Sequence, residues 1–347
     1  MKRIYLFILL CLACLPITGV FGHEQEEVAV AGELTHSVFL PMITRPPLVP
    51  TYISKSYYLQ DMRGPEVFDL GCKMGQEAAD AKQRIYFGAV FAGQPMIVDG
   101  VHGLLSYGTS ELPNEFIPLA DVQKSIFTLA AAAVNCLNSD DIFIRLAVGP
   151  NNFGPWVTEA HGEKWGQVIE ELQNSVDSGP LRDRIGLVGL IDAEMGFNGP
   201  EVTKGWINGY YSEESILYNM GTLDGCPTRL ATQLTCGTAD YPDWTLEDIV
   251  EIFDRRGARA VPQIYDQDGN NARQWSYLAA VLEEESQFAF RLLGALSQKS
   301  ACEQRGGCFG EDNTPEEAFL KLSFELTQEG PLLPEIEFAS DIEWQIE

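Results

Sequence analysis

The most constraining feature of this chain is an alternation. From residue 51 onward, short and nearly continuous apolar runs are separated by stretches whose apolar residues recur at helical spacing. The runs cover residues 67–70, Ile85–Phe91, 142–148, Ile185–Ile191, 216–220, 258–265, 288–296 and 336–344, and the run at 288–296 reads equally well as helix. Unbroken apolar runs fit strands covered on both faces, as in a parallel sheet. The helical stretches are 76–82, Leu119–Cys136, 165–176, 245–255, 271–284 and 314–326. Thr245 with Asp248 three residues on is a capping box, and Thr314-Pro315 with Glu317 marks another helix start. About eight strand–helix units over some 300 residues predict an α/β fold of the TIM type, a (β/α)₈ barrel with some irregularity. The alternative is an open doubly wound sheet, which announces itself by a glycine-rich turn after its first strand. The sequence has neither G-x-G-x-x-G nor G-x-x-x-x-G-K-[ST]. It therefore carries no signal for a nucleotide cofactor, and no cofactor of any kind is expected.

The N-terminus predicts export. Lys2 and Arg3 precede an apolar stretch over 4–17, and Val20 and Gly22 stand at the −3 and −1 positions of a cleavage site. This is the order of a secretory signal peptide, 1–22. The apolar stretch is shorter than the roughly 20 residues that cross a bilayer. Cys14 after Ala13 raises a lipid-anchored variant, but Cys11 and Leu12 fit poorly before a lipidated cysteine. Residues 23–50, polar and then proline-rich at TRPPLVP, read as a tether around an apolar SVFLPMI segment. Residues 51–347 read as one domain with no further span. The expected location is secreted or at the cell surface.

Charge and cysteines narrow the partners. Basic residues number 23 against 50 acidic, a formal net charge of −27. Phosphate backbones would be repelled, so nucleic acid is excluded as a partner, and anionic membrane surfaces are disfavoured. Of eight cysteines, Cys11 and Cys14 lie in the leader. The remaining six, in an exported chain, favour disulfides, and six cysteines allow 15 pairings. Proximity favours Cys226–Cys236 and Cys302–Cys308, which leaves Cys72–Cys136. A zinc site has no support, for want of a C-x-x-C pair or a neighbouring histidine among His23, His36, His102 and His161. The Asp266–Asn271 segment departs from a calcium loop in its early glycine and missing twelfth-position glutamate, and reads as a turn. No metal is expected, and no G-x-S-x-G elbow is present.

In such barrels, chemistry sits at the C-terminal ends of strands. The Ile185–Ile191 run ends in Asp192-Ala193-Glu194. Acids at i and i+2 of an extended chain share a face. Two adjacent carboxylates can divide roles, one holding a proton and one ionised, which glycosidic cleavage requires. Asp341-Ile342-Glu343 repeats the pattern without following so strong a run. Other polar residues near strand ends are Asp69, Arg145, Asn151, Asn152, Asn219, Gln263, Tyr265 and Asp266. Trp156, Trp206, Tyr210, Tyr211 and Trp275 are candidate sugar platforms, although packing explains any one of them alone.

VFDLG with Asp69 and GLIDAEMGF with Asp192 and Glu194 resemble secreted bacterial glycoside hydrolase-like barrels similar to glycoside hydrolase family 25. AVPQIYDQDGNNARQW resembles the polar, aromatic strand end of those barrels. The resemblance implies Glu194 as proton donor, Asp192 as a charge-stabilising or substrate-positioning acid, and Asp69 lining the same pocket. Cys72 and Met74 after Asp69, the cysteine pairs and the 206–218 segment depart from the lysozyme pattern. Chitinase-like barrels also end a strand in D-x-E, but Leu187 and Leu190 stand where they carry aspartates. The expected substrate-binding set is Asp69, Asn152, Asn219, Gln263, Tyr265, Asp266 and Trp206, with polysaccharide or glycan as partner. The expectation is glycosidic cleavage. The alternative is a catalytically silent barrel that binds glycan or a surface partner, and a purely structural envelope protein is the third reading.

Overall fold

The computed structural model describes residues 49–108, 113–213, 215–232, 235–288, 290–308, 312–329 and 336–345. The expected signal peptide, and the expected tether up to residue 48, lie outside the described residues. No described helix is long and apolar enough to cross a membrane.

The chain runs β1 (Ile53–Tyr58), α1 (Gly64–Ala81), β2 (Ile85–Phe91), a meander of β3 (Gln94–Val98), β4 (Val101–Leu105) and β5 (Phe116–Pro118), then α2 (Leu119–Cys136). It continues with β6 (Phe143–Gly149), α3 (Glu159–Asp177), β7 (Ile185–Ile191), α4 (Pro200–Tyr210), β8 (Leu217–Asn219), α5 (Leu246–Phe253), β9 (Arg259–Ala260) and α6 (Asn270–Glu285). It ends with β10 (Arg291–Leu292), β11 (Gly294–Ser297), α7 (Lys299–Gln304), α8 (Pro315–Glu329) and β12 (Phe338–Trp344). One parallel sheet has the order β10-β9-β8-β7-β6-β2-β1-β12-β11. Its two edges belong to a single stretch of chain broken at Leu293. The Leu293 N–H donates to Ala260 O (3.0 Å), and its own carbonyl accepts from Glu337 N (3.0 Å). That residue closes an eight-position barrel, as the alternation predicts.

Two apolar layers hold the barrel. Phe87, Ala89, Ala147, Leu190, Tyr218, Met220, Val261, Phe338 and Ile342 fill its lumen. A larger layer, including Val67, Met74, Ile144, Leu187, Trp165 and Trp206, packs the helices onto its outside. Helices α3 and α4 approach so closely that a Cβ at Gly162 would meet Trp206 O at 1.9 Å. Thr245 and Asp248 form the expected capping box at α5.

One expected strand is a helix. Residues 67–70 belong to α1, where Val67, Leu70, Met74 and Ala78 are buried at helical spacing behind Pro65 in the first turn. Four apolar residues are too few to separate the two periods, and the first strand is instead Ile53–Tyr58. The three disulfides are Cys72–Cys136, Cys226–Cys236 and Cys302–Cys308. The first ties α1 to the end of α2, the second closes the loop after β8, and the third closes the turn after α7.

Candidate active site

Beyond β7 the chain stays extended for several residues. Asp192 N donates to Pro150 O (3.0 Å), and Asn152 N donates to Asp192 O (3.1 Å). Leu190 faces the lumen, so Asp192 and Glu194, two and four residues on, face the same way at the C-terminal mouth. Asn152 fixes the backbone of Glu194 from both sides. Its Nδ2 donates to Glu194 O (3.0 Å), and its Oδ1 accepts from Glu194 N (3.0 Å). Thr203 Oγ1 takes a further bond from the same Nδ2 (3.1 Å).

Gln263, on the arm following β9, joins the two acids. Its Nε2 donates to Asp192 Oδ1 (2.7 Å) and reaches Glu194 Oε1 (3.4 Å). One amide thus holds a buried and a half-buried carboxylate together. Burial, and next the charge of Glu194, push Asp192 well above the usual carboxylate range, against the bond from Gln263. Burial, then the charge of Asp224, raise Glu194 to about 7, again against Gln263. Asp224 lies between β8 and the loop closed by Cys226–Cys236, and desolvation raises it too. Thr222 Oγ1 (3.2 Å) and Asn271 Nδ2 (3.2 Å) donate to it. Asn271 Oδ1 in turn accepts from Tyr265 N (3.1 Å) and Asp266 N (3.0 Å).

Aromatic rings stand beside the acids. Tyr58 ends β1, Trp344 ends β12, and Tyr107 follows β4. Ring centroids are 4.5 Å apart for Tyr58 and Trp344, 5.3 Å for Tyr58 and Tyr107, and 5.9 Å for Tyr107 and Trp344. The Arg305 guanidinium lies over Trp344 at 3.8 Å. Burial chiefly, then the charges of Asp192 and Glu194, raise the phenols of Tyr58 and Tyr107. Burial, then Tyr58 and the same two acids, raise Tyr265.

The structure brings together Asp192, Glu194, Asn152, Gln263 and Tyr265 from the sequence-derived set. Asn219 serves the backbone, since its Oδ1 accepts from Ala193 N (3.4 Å) and Gly221 N (2.9 Å). The backbone of Asp266 bridges that of Asp312. Two residues do not belong. Asp69 ends no strand and sits on the solvent face of α1, which removes the first-strand acid on which the family 25 resemblance partly rested. Trp206 is fully buried in α4, where Nε1 donates to His161 Nδ1 (3.1 Å) and the ring stacks on Tyr210. Tyr210 is spent on Ile216 O (2.9 Å), and Trp275 packs on Phe253. Arg145 lies toward the opposite end of the barrel, on the N-terminal half of β6.

Sequence reasoning missed Asp224, Tyr58, Tyr107 and Trp344. The strand-end rule, applied to the closing run at 336–344, would have flagged Trp344. Among the described residues, the one trio of potential metal donors is Cys302, Cys308 and Asp312, and the two sulfurs are bonded to each other.

No protein-family model matches the sequence, and no curated protein matches it. Among solved structures, a GH113 β-1,4-mannanase, seen in a complex, is similar at a TM-score of 0.40 and 9% identity, over 86% of this chain and 89% of that one. An endo-1,4-β-mannanase from Rhizomucor miehei is similar at a TM-score of 0.38 and 12% identity, over 86% of each chain.

Proposed function

We propose that this chain is a glycosidase that acts on polysaccharide outside the cytosol, with Glu194 as its acid. One observation carries the reading. A buried and a half-buried carboxylate from one strand end are held by a single amide, Gln263, beside an aromatic wall. A carboxyl that keeps its proton near neutrality can give it to a glycosidic oxygen. In the reaction, Glu194 protonates the bridging oxygen, and the C1–O bond breaks with its electron pair going to the departing sugar. The carboxylate that this leaves on Glu194 faces the positive charge on the ring, and Asp192, which burial and that same charge keep protonated, donates a hydrogen bond to the substrate. Water then adds at C1 and loses its proton to Asp224. The rings of Tyr58, Tyr107 and Trp344 supply apolar surface for a sugar face, as sugar sites do. Export is supported by the n-h-c order of the first 22 residues and by the disulfides, which persist in oxidising compartments.

Release of reducing ends from a panel of neutral and cell-wall polysaccharides tests the reading. Wild type should release them and Glu194→Gln should not. Hydrolysis undiminished in Glu194→Gln would remove Glu194 from the role. Glycan binding by wild type with no turnover would make this barrel a binding module.

A further inference from the structure

At the opposite end of the barrel, the lumen is floored by arginines. Tyr218 points into the lumen, where it stacks on Phe87 at 5.5 Å. Strand register then orients its neighbours. Tyr218 is the partner of Arg259, Arg259 of Arg291, and Phe87 of Arg145. Partners on adjacent strands present side chains to the same face of a sheet. Arg145, Arg259 and Arg291 therefore all turn inward. Arg259 and Arg291 open their strands, so the cluster lies at the N-terminal mouth. All three cations lie within electrostatic reach of the Tyr218 hydroxyl, Arg145 foremost. Arg259 is held below its ordinary value by burial first, and also by the charges of Arg291 and Arg145.

Arg259 also lines a cavity of about 720 Å³, with Arg255, Arg256, Tyr211, Asn208 and Ser215. A second cavity of about 380 Å³ contains Arg145 and shares Ser215 and Ile216 with the first. Among the described residues, no carboxylate forms an ion pair with Arg145, Arg259 or Arg291. Glu213 and Asp254 also line the larger cavity, and Glu170 lines the smaller. Asp254 Oδ1 is already engaged by Ser286 Oγ (2.9 Å) and Gln287 N (2.9 Å). The Nε of Arg255 is buried without a partner. In a chain with 50 acidic residues against 23 basic ones, this grouping of cations runs against the composition.

We infer that the N-terminal mouth of the barrel is a binding site for a small tetrahedral oxyanion, sulfate or phosphate, held by Arg145, Arg259 and Arg291. Guanidinium forks fit such oxyanions with paired N–H donors, and Arg cannot relieve crowding by losing its proton. The same group can arrive as the free ion or as an ester on a saccharide.

Thermal unfolding of the full chain tests the site, with sodium sulfate or phosphate titrated against sodium chloride at matched ionic strength. Ligand at about tenfold over its Kd should raise the Tm by about 2 °C in wild type, beyond any chloride effect. Arg259→Gln and Arg291→Gln should abolish the difference, and Arg259→Lys should retain part of it. Without oxyanion, Arg259→Gln should unfold at the same or a higher temperature than wild type, because a repelling charge is gone. Glucose 6-sulfate set against glucose and free sulfate distinguishes the sources: a response at lower concentration than free sulfate assigns the ester. Equal shifts in sulfate and chloride, or an undiminished sulfate response in both glutamine variants, would overturn the site. So would a fall in Tm for Arg259→Gln without ligand, since it would reveal a hidden counter-ion.

Discussion

The two mouths of the barrel solve the same problem in opposite ways. At the C-terminal mouth, buried Asp192, half-buried Glu194 and Asp224 at the rim crowd negative charge together, and each responds by holding its proton more tightly. At the N-terminal mouth, Arg145, Arg259 and Arg291 crowd positive charge, and guanidinium has no such escape near neutrality. Crowded like charge therefore becomes a poised proton at one end and, on the inference above, a demand for a counter-ion at the other. As proposed above, the first serves chemistry and the second binding.

The comparison breaks most decisively at Glu194. If its proton is the reactive one, Glu194→Gln should lower kcat by about 10²–10⁴-fold, the usual worth of a general acid. With Glu194 at about 7, wild-type kcat/KM should fall as pH rises above 7. A rate that holds level up to pH 9 would contradict the assignment.

Stability separates the two ends next. Glu194 has a folded-state value raised from 4.5 to about 7. Its contribution to stability is full below 4.5 and is lost as pH rises through 7. Glu194→Gln, which cannot ionise, should therefore match wild type at pH 4 and exceed it by about 3 kcal/mol at pH 8. Arg259→Gln should show no such slope, because guanidinium does not titrate over that range. Denaturant titrations of wild type and both variants at pH 4 and pH 8 give the six values needed. A pH-independent Glu194→Gln would leave the mouths indistinguishable.

Most of this architecture was legible in the sequence, and the exceptions have physical causes. Ile85–Phe91 and Ile185–Ile191 are seven-residue strands with little but apolar residues, and the sequence marks both ends. The first strand, ISKSYY, escaped because its lumen-side positions are serines, Ser54 and Ser56. They are buried and satisfied by the neighbouring strand β12, Ser56 Oγ lying 2.7 Å from Ser340 Oγ. With that strand hidden, Tyr58 could not be read as a strand end, and 67–70 took its place. Asp192, Glu194 and Gln263 were legible because each follows an apolar run. Asp224 was not, because it arrives on irregular chain between β8 and a disulfide-closed loop, whose path no periodicity encodes. Trp206 and Trp275 show the converse. Aromatic character alone does not separate a platform from a core residue, and both lie in the helical layer.

Asn152 sharpens the acidic end further. Its side-chain amide is taken up by the main chain of Glu194 and the Thr203 hydroxyl, so it positions the acid without meeting substrate. Asn152→Ala should lower kcat by about tenfold, roughly 1.4 kcal/mol, with KM little changed. A rise in KM at unchanged kcat would make it a substrate contact instead.

The smallest effect belongs to a residue at neither mouth. Asp69 was the first-strand acid in the family resemblance, yet it lies on the exposed face of α1 between the buried positions Val67 and Leu70. Asp69→Asn should change stability by less than about 0.5 kcal/mol, as surface substitutions do, and should leave hydrolysis and its pH profile unaltered. A clear loss of activity would mean that α1 reaches the site, which its burial pattern contradicts, and the contrast would then no longer be one of two mouths alone.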